Sequence, residues 1–143
     1  RIAVSAARGL SLSMGIPAIG VSVFEALAFG SDRTLIASAA APRGQVYAAV
    51  VDHIPADPVL GDPLTIDLEL LAHGRPVCIG EAAGILADRF SGSVSDPAYP
   101  LAEAIARVAL DRAGGAGHVR PSPLYIRSAD AAPASDPPPV ILP

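Results

Sequence analysis

Residues 2–14 carry apolar positions at helical spacing. At 100° per residue, Ala3, Ala6, Ala7, Leu10 and Met14 form one stripe. Ile2, Ser5, Gly9, Leu12 and Ser13 form a second stripe of mostly small residues. Within it Ser5, Gly9 and Ser13 recur at every fourth position, a spacing that lets helix backbones approach closely. Val4, Arg8 and Ser11 are left for a third side, and Arg8 is the lone charge between Ile2 and Gly20. Gly15 and Pro17 mark the C-terminal end of this helix. "AIGVS" (18–22) predicts a short buried strand. Ser22, with Glu25 three residues later, makes a capping box that opens a second helix, "VFEALAF", ended by Gly30. This helix too is apolar nearly all round. Two successive helices without a polar face need cover on both sides. The domain's sheet is expected on one side and a partner chain on the other.

Beyond Asp32 the pattern shortens. "RTLIASAAA" and "QVYAAVVD" read as strands joined by a "PRG" turn (42–44), a β-hairpin. "IPADPVLGDP" reads as a loop. Asp62 and Pro63 lead into an expected helix over 64–73, with Gly74 as its cap. "PVCIG" (76–80) reads as a buried strand and "EAAGILADRF" (81–90) as a helix, followed by a loop over 91–100. "LAEAIARVALDRAG" is amphipathic, with Leu101, Ala104, Ile105, Val108 and Ala109 facing inward and Glu103, Arg107, Asp111 and Arg112 outward. "SPLYIRSAD" (122–130) predicts a last strand, and "AAPASDPPPVILP" is a Pro-rich tail. Strands alternating with helices give an α/β class.

Composition narrows the function. The 143 residues suffice for one domain or two small lobes, and the mean hydropathy of +0.46 comes largely from alanine, so a core of thin, close layers is expected. No apolar run is long enough to span a membrane, and Arg8 breaks the apolar part of the opening segment that a signal peptide would need. A net charge of −4 without a Lys/Arg run speaks against direct nucleic-acid binding. The single cysteine excludes an internal disulfide and fits a reducing, cytoplasmic setting. The chain starts at Arg1 without an initiator methionine, which reads as a fragment.

Candidate chemistry is sparse. His53, His73 and His118 show neither HExxH nor i, i+4 spacing. Cys78 sits in an apolar strand, where a structural thiol is expected. Asp62, Asp67 and Glu69 read as a cap and solvated carboxylates, and "FSGSVS" is not a nucleophile elbow. "CIGEAAGIL" (78–86) is a strand–Gly–helix turn, which makes Gly80 the weak candidate for a nucleotide contact. Glu81 directly after it would oppose a phosphate. Arg8 reads either as a snorkelling surface arginine or as a bidentate contact to a partner carboxylate. No metal site is expected.

"RIAVSAARGLSLSMGIPAIGVSVFEALA", "RGQVYAAVVD" and "SPLYIRSADAAP" together resemble the bacterial TsaB (YeaZ) family of the Gcp/Kae-like, glycoprotease-like group. The resemblance implies an actin-like/Hsp70-like (ASKHA, ribonuclease H-like) two-lobed fold whose first lobe is incomplete here. Residues 1–30 would belong to lobe one, 31–128 to lobe two and 129–143 to the tail. It implies a non-catalytic partner in the threonylcarbamoyladenosine modification of tRNA, beside the anticodon. That partner would bind and stabilise a TsaD-like catalytic subunit, together with a TsaE-like ATPase, and would meet tRNA only through the complex. A homodimer is implied when the catalytic subunit is missing. The contact would be a bundle of lobe-one helices, with Ser5, Arg8, Gly9, Leu12, Ser13, Phe24 and Leu27 as the interface residues. Alternatives are a glycoprotease-like hydrolase or acyltransferase, and a nucleotide-binding module holding ATP or ADP.

Overall fold

The computed structural model of the chain describes residues 2–52, 54–68, 75–113 and 119–126. Helix α1 (Ile2–Met14) leads through a coil to helix α2 (Val23–Ala28). Strands β1 (Leu35–Ala40) and β2 (Val46–Asp52) form the expected hairpin around a 3-10 turn at Pro42–Gly44. The turn is closed by Ala41 N–H donating to the Gln45 carbonyl at 2.9 Å. Two short strands follow, β3 (Ile54–Pro55) and β4 (Val59–Gly61), then β5 (Val77–Gly80), helix α3 (Ala83–Phe90), β6 (Ser93–Val94) and helix α4 (Leu101–Ala113).

The strands make one mixed sheet in the order β3-β2-β1-β5-β6, with β4 also on β2. β1 and β2 are antiparallel, while β5 pairs parallel with β1 and with β6. Side chains of successive strand residues point to opposite faces, and here both faces are covered. Ile36, Val46, Ala48, Val50 and Cys78 pack with Ala83, Leu86 and Ala87 of α3. Leu35, Ala37, Ala49, Val51, Val77 and Ile79 pack with Phe24 and Ala28 of α2. Burial on both faces explains why β1 and β2 read as continuous apolar runs. Alanines at Ala37, Ala48 and Ala49 let the layers approach closely, as the composition suggested. Helix α4 packs against α2.

The capping box at α2 is formed as expected: the Ser22 hydroxyl accepts from Phe24 N–H, and Ser22 N–H donates to Glu25 Oε2 at 2.8 Å. The other Glu25 oxygen pairs with Arg112 of α4, whose second terminal nitrogen donates to the Gly20 carbonyl at 2.6 Å. Arg112, expected to face outward, is therefore half-buried and ties α4 to the start of α2. Leu101, expected inward, is 43% exposed, and Ala104 carries the buried side of α4 instead.

Five expected elements differ. Residues 18–22 are coil, and among the described residues their one backbone-to-backbone bond to a distant segment is Gly20 N–H to the Val119 carbonyl at 2.6 Å. Pro17 and Pro121 lack the N–H donors that would extend it into a ladder. Residues 64–68 are not helical: a turn at 63–65 is set by Asp62, whose Oδ1 accepts from Leu64 N–H at 2.8 Å, and Ile66 and Leu68 are then buried with Asp67 exposed between them. Ile66 N–H closes this single turn on the Asp62 carbonyl at 2.7 Å, and Ile66 and Leu68 join the α3-side core. Residues 69–74 of the expected helix lie outside the described residues. The expected loops over 54–63 and 91–100 contain β3, β4 and β6. Residues 122–126 form no strand, although Ile126 packs on the α2-side core. Residues 127–143 lie outside the described residues.

Candidate partner interface

Helix α1 has no buried residue. Its least exposed positions are Val4, Ala7, Arg8 and Ser11, one face at i, i+3, i+4, i+7 spacing. This is close to the side the wheel left over, and it is the side turned toward the chain. Arg8 Nε donates to the Pro121 carbonyl at 2.8 Å, and Ser11 Oγ donates to the Ile16 carbonyl at 2.6 Å. The first apolar stripe points largely outward: Leu10 is 60% and Met14 63% exposed. The cause is local. Only the arginine face meets hydrogen-bond acceptors on segment 119–121, so the apolar stripes are left facing away.

The second stripe is outward as expected. Leu12 is 87% exposed, Ser5, Gly9 and Ser13 are exposed, and among the described residues no atom stands near where a Cβ on Gly9 would lie. With Ile2 and Ile16 they make an unpartnered apolar surface rimmed by small residues. Surfaces of this kind mark protein interaction sites more often than isolated exposed leucines do. Helix α2 contributes little to it. Phe24 is 5% exposed and belongs to the α2-side core, and Leu27 packs partly against the same cluster. The apolar sides of α2 are taken up by the sheet and α4, which withdraws Phe24 from an outward face.

Gly80, the candidate nucleotide contact, ends β5 with φ +100. The backbone donors just after it are already engaged: Glu81 N–H donates to the Ser38 carbonyl and Ala82 N–H to Ser38 Oγ. Glu81 Oε2 in turn accepts from Ala40 N–H at 2.7 Å. The turn thus locks β1 to α3.

Cys78 is fully buried, and burial pushes its thiol up to about 11 from the ordinary 9.0. A protonated, enclosed thiol is a packing group, not a nucleophile. The sign of its pH effect follows. Between pH 9 and 11 the unfolded chain releases this proton while the folded chain holds it, so stability falls as pH rises through that window. The loss is expected to reach about 2–3 kcal/mol. A Cys78→Ala variant should be less stable at neutral pH yet show a shallower decline from pH 8 to 11 in urea titrations. Equal slopes would show that other groups carry the alkaline loss.

Among the described residues, no group of three or more His, Cys, Asp or Glu is placed to hold a metal, and no helix is long and apolar enough to cross a membrane. His53, His73, His118 and Glu69 lie outside the described residues. The sequence reading missed Pro121 as the acceptor that holds α1, and Val119 and Arg112 as the partners of Gly20 after it. Their contacts span about a hundred residues of chain, and no local pattern signals them.

No protein-family model matches the chain, and no curated protein matches it. Solved structures do. One is an uncharacterized protein with similarity to peptidase YeaZ from Pseudomonas aeruginosa, with a TM-score of 0.66 and 18% identity over 87% of this chain and 66% of that one. Another is YeaZ from Pseudomonas aeruginosa itself, with a TM-score of 0.57 and 18% identity over 79% of this chain and 61% of that one. The chain thus spans just under two thirds of the length of these relatives. The α/β fold expected from the resemblance is the one observed, and this chain has the fold of the YeaZ-like proteins.

Proposed function

We propose that this chain is a TsaB-like, non-catalytic partner subunit in the threonylcarbamoyladenosine modification of tRNA. It holds a TsaD-like catalytic subunit against the outward stripes of α1, alongside a TsaE-like ATPase, and it contacts tRNA only through that complex. The observation that carries the reading is α1: a 13-residue helix with no buried residue and with Leu10, Leu12 and Met14 each more than half exposed. Covering such side chains contributes about 1.5–3 kcal/mol apiece, offset in part by the entropy of association. The YeaZ-like fold supports the choice of partner. In the absence of the catalytic subunit, the same surface serves a homodimer.

Co-expression with the TsaD-like subunit of the same cell tests this. Gly9→Glu and Leu12→Glu place a charge at exposed positions, with no described atom within 4 Å of a Cβ added at Gly9, and the glycine change also raises helix propensity. Both variants are expected to fold as the parent does and to lose co-purification of the catalytic subunit. Unchanged co-purification would move the interface elsewhere.

A further inference from the structure

Between α1 and segment 119–121 lies a cleft of about 240 Å³, lined by Arg8, Ser11, Leu12, Pro17, Ala18 and Arg120. We infer that this cleft receives an acidic side chain of the partner protein, so that Arg8 and Arg120 fix the register of a contact whose area is supplied by the apolar stripes. The inference rests on the proposed docking of α1.

Two guanidiniums line one small cleft in a chain of net charge −4. Neither has a carboxylate partner among the described residues; those ion pairs join Arg107 to Glu103 and Arg112 to Glu25. The Nε of Arg8 is held by the Pro121 carbonyl, which fixes the plane of the guanidinium while its terminal nitrogens remain for a second acceptor. A planar fork held in this way suits a carboxylate, which can accept two parallel bonds. Leu12 on the rim would shield that pair from water once a partner covers α1, where it becomes stronger than an exposed pair. The arrangement also answers a problem of the stripes themselves. Ser5, Gly9 and Ser13 repeat with a four-residue period, so a partner helix can slide by one turn at little cost. A single charge contact at a fixed point makes one register preferable.

The test uses the full chain and the TsaD-like subunit, with affinities measured by titration calorimetry at 50 and 500 mM NaCl. Arg120 is exposed, so Arg120→Glu tests the cleft without disturbing the fold. It is expected to weaken binding at least about tenfold at low salt, and Arg120→Lys by less. The parent's affinity should fall with salt more steeply than that of Arg120→Glu. If Arg120→Glu binds as tightly as the parent while Leu12→Glu does not bind, the docking of α1 stands and the acidic contact is overturned. If neither change weakens binding, the docking itself fails and the cleft fails with it.

Discussion

Gly80→Ala is expected to lower the stability of the fold by about 3–5 kcal/mol. Two costs add. Gly80 has φ +100, a backbone region that side-chain-bearing residues avoid, which costs about 1–3 kcal/mol. An added Cβ would also stand 2.0 Å from the Ser38 carbonyl oxygen, well inside contact distance. That oxygen cannot move aside freely. It belongs to β1, which pairs with β5 at Ser38 and Gly80, and it accepts a hydrogen bond from Glu81 N–H. The Ser38 hydroxyl, fully buried, donates to the Ile79 carbonyl at 3.0 Å and accepts from Ala82 N–H at 3.3 Å. Moving β1 away would therefore break the parallel pair and the entry to α3 together. Gly84→Ala is the control. Gly84 is exposed in α3 with no atom of the described residues within 4 Å of the added Cβ, so the change should be neutral or stabilising by up to about 1 kcal/mol. Urea midpoints with unchanged m-values would give both numbers. A loss below 1 kcal/mol at Gly80 would mean that the β1–β5 register is wrong.

The Gly80 turn also shows where sequence reading works and where it stops. Features written in a few adjacent residues were legible: the Ser22–Glu25 capping box, the hairpin around Pro42–Gly44, the buried strand at Val77–Gly80 and the helices α3 and α4. Each is set by a short-range hydrogen bond or a local period. The glycine at position 80 reads more plainly as a tight strand-to-helix connection than as a phosphate turn, with Glu81 opposing a phosphate, and that connection is the one observed; what the sequence did not show is Ser38 beside it. The stretch 64–68 misled because Asp–Pro followed by leucines suits a helix start, whereas the single turn after Asp62 stops and Ile66 and Leu68 are buried in the core. The wheel for α1 found both apolar stripes, but it could not rank them against the arginine side. That ranking depends on the Pro121 carbonyl, 113 residues away. Of the residues proposed for the interface, Ser5, Gly9, Leu12 and Ser13 were legible as an unclaimed stripe. Phe24 was not separable from them, since an apolar residue on a short helix looks the same whether a sheet or a partner covers it.

One substitution made at two leucines separates apolar residues that hold the fold from those available to another chain. Leu86→Ala is expected to cost about 2–5 kcal/mol, because Leu86 is 0% exposed at the centre of the cluster between α3 and the sheet. The residual cavity would be walled by Ile36, Val46, Val50 and Cys78, and strands paired on both sides cannot collapse into it. Against the 5–15 kcal/mol typical of a domain, that is a large share of the total. Leu12→Ala removes the same atoms from a side chain that is 87% exposed. Water already surrounds it, so the free chain should change by no more than about 0.5 kcal/mol. Under the proposed function the order reverses in a binding assay. Leu12→Ala then weakens association with the catalytic subunit by about tenfold, the ~1.4 kcal/mol scale of an interface anchor. Leu86→Ala leaves the affinity of the folded fraction unchanged. Thermal or urea melts together with the titration read both axes for both variants. A Leu12→Ala protein that lost stability without losing affinity would show that this chain itself covers α1, and the surface offered to a partner would have to be sought on another element.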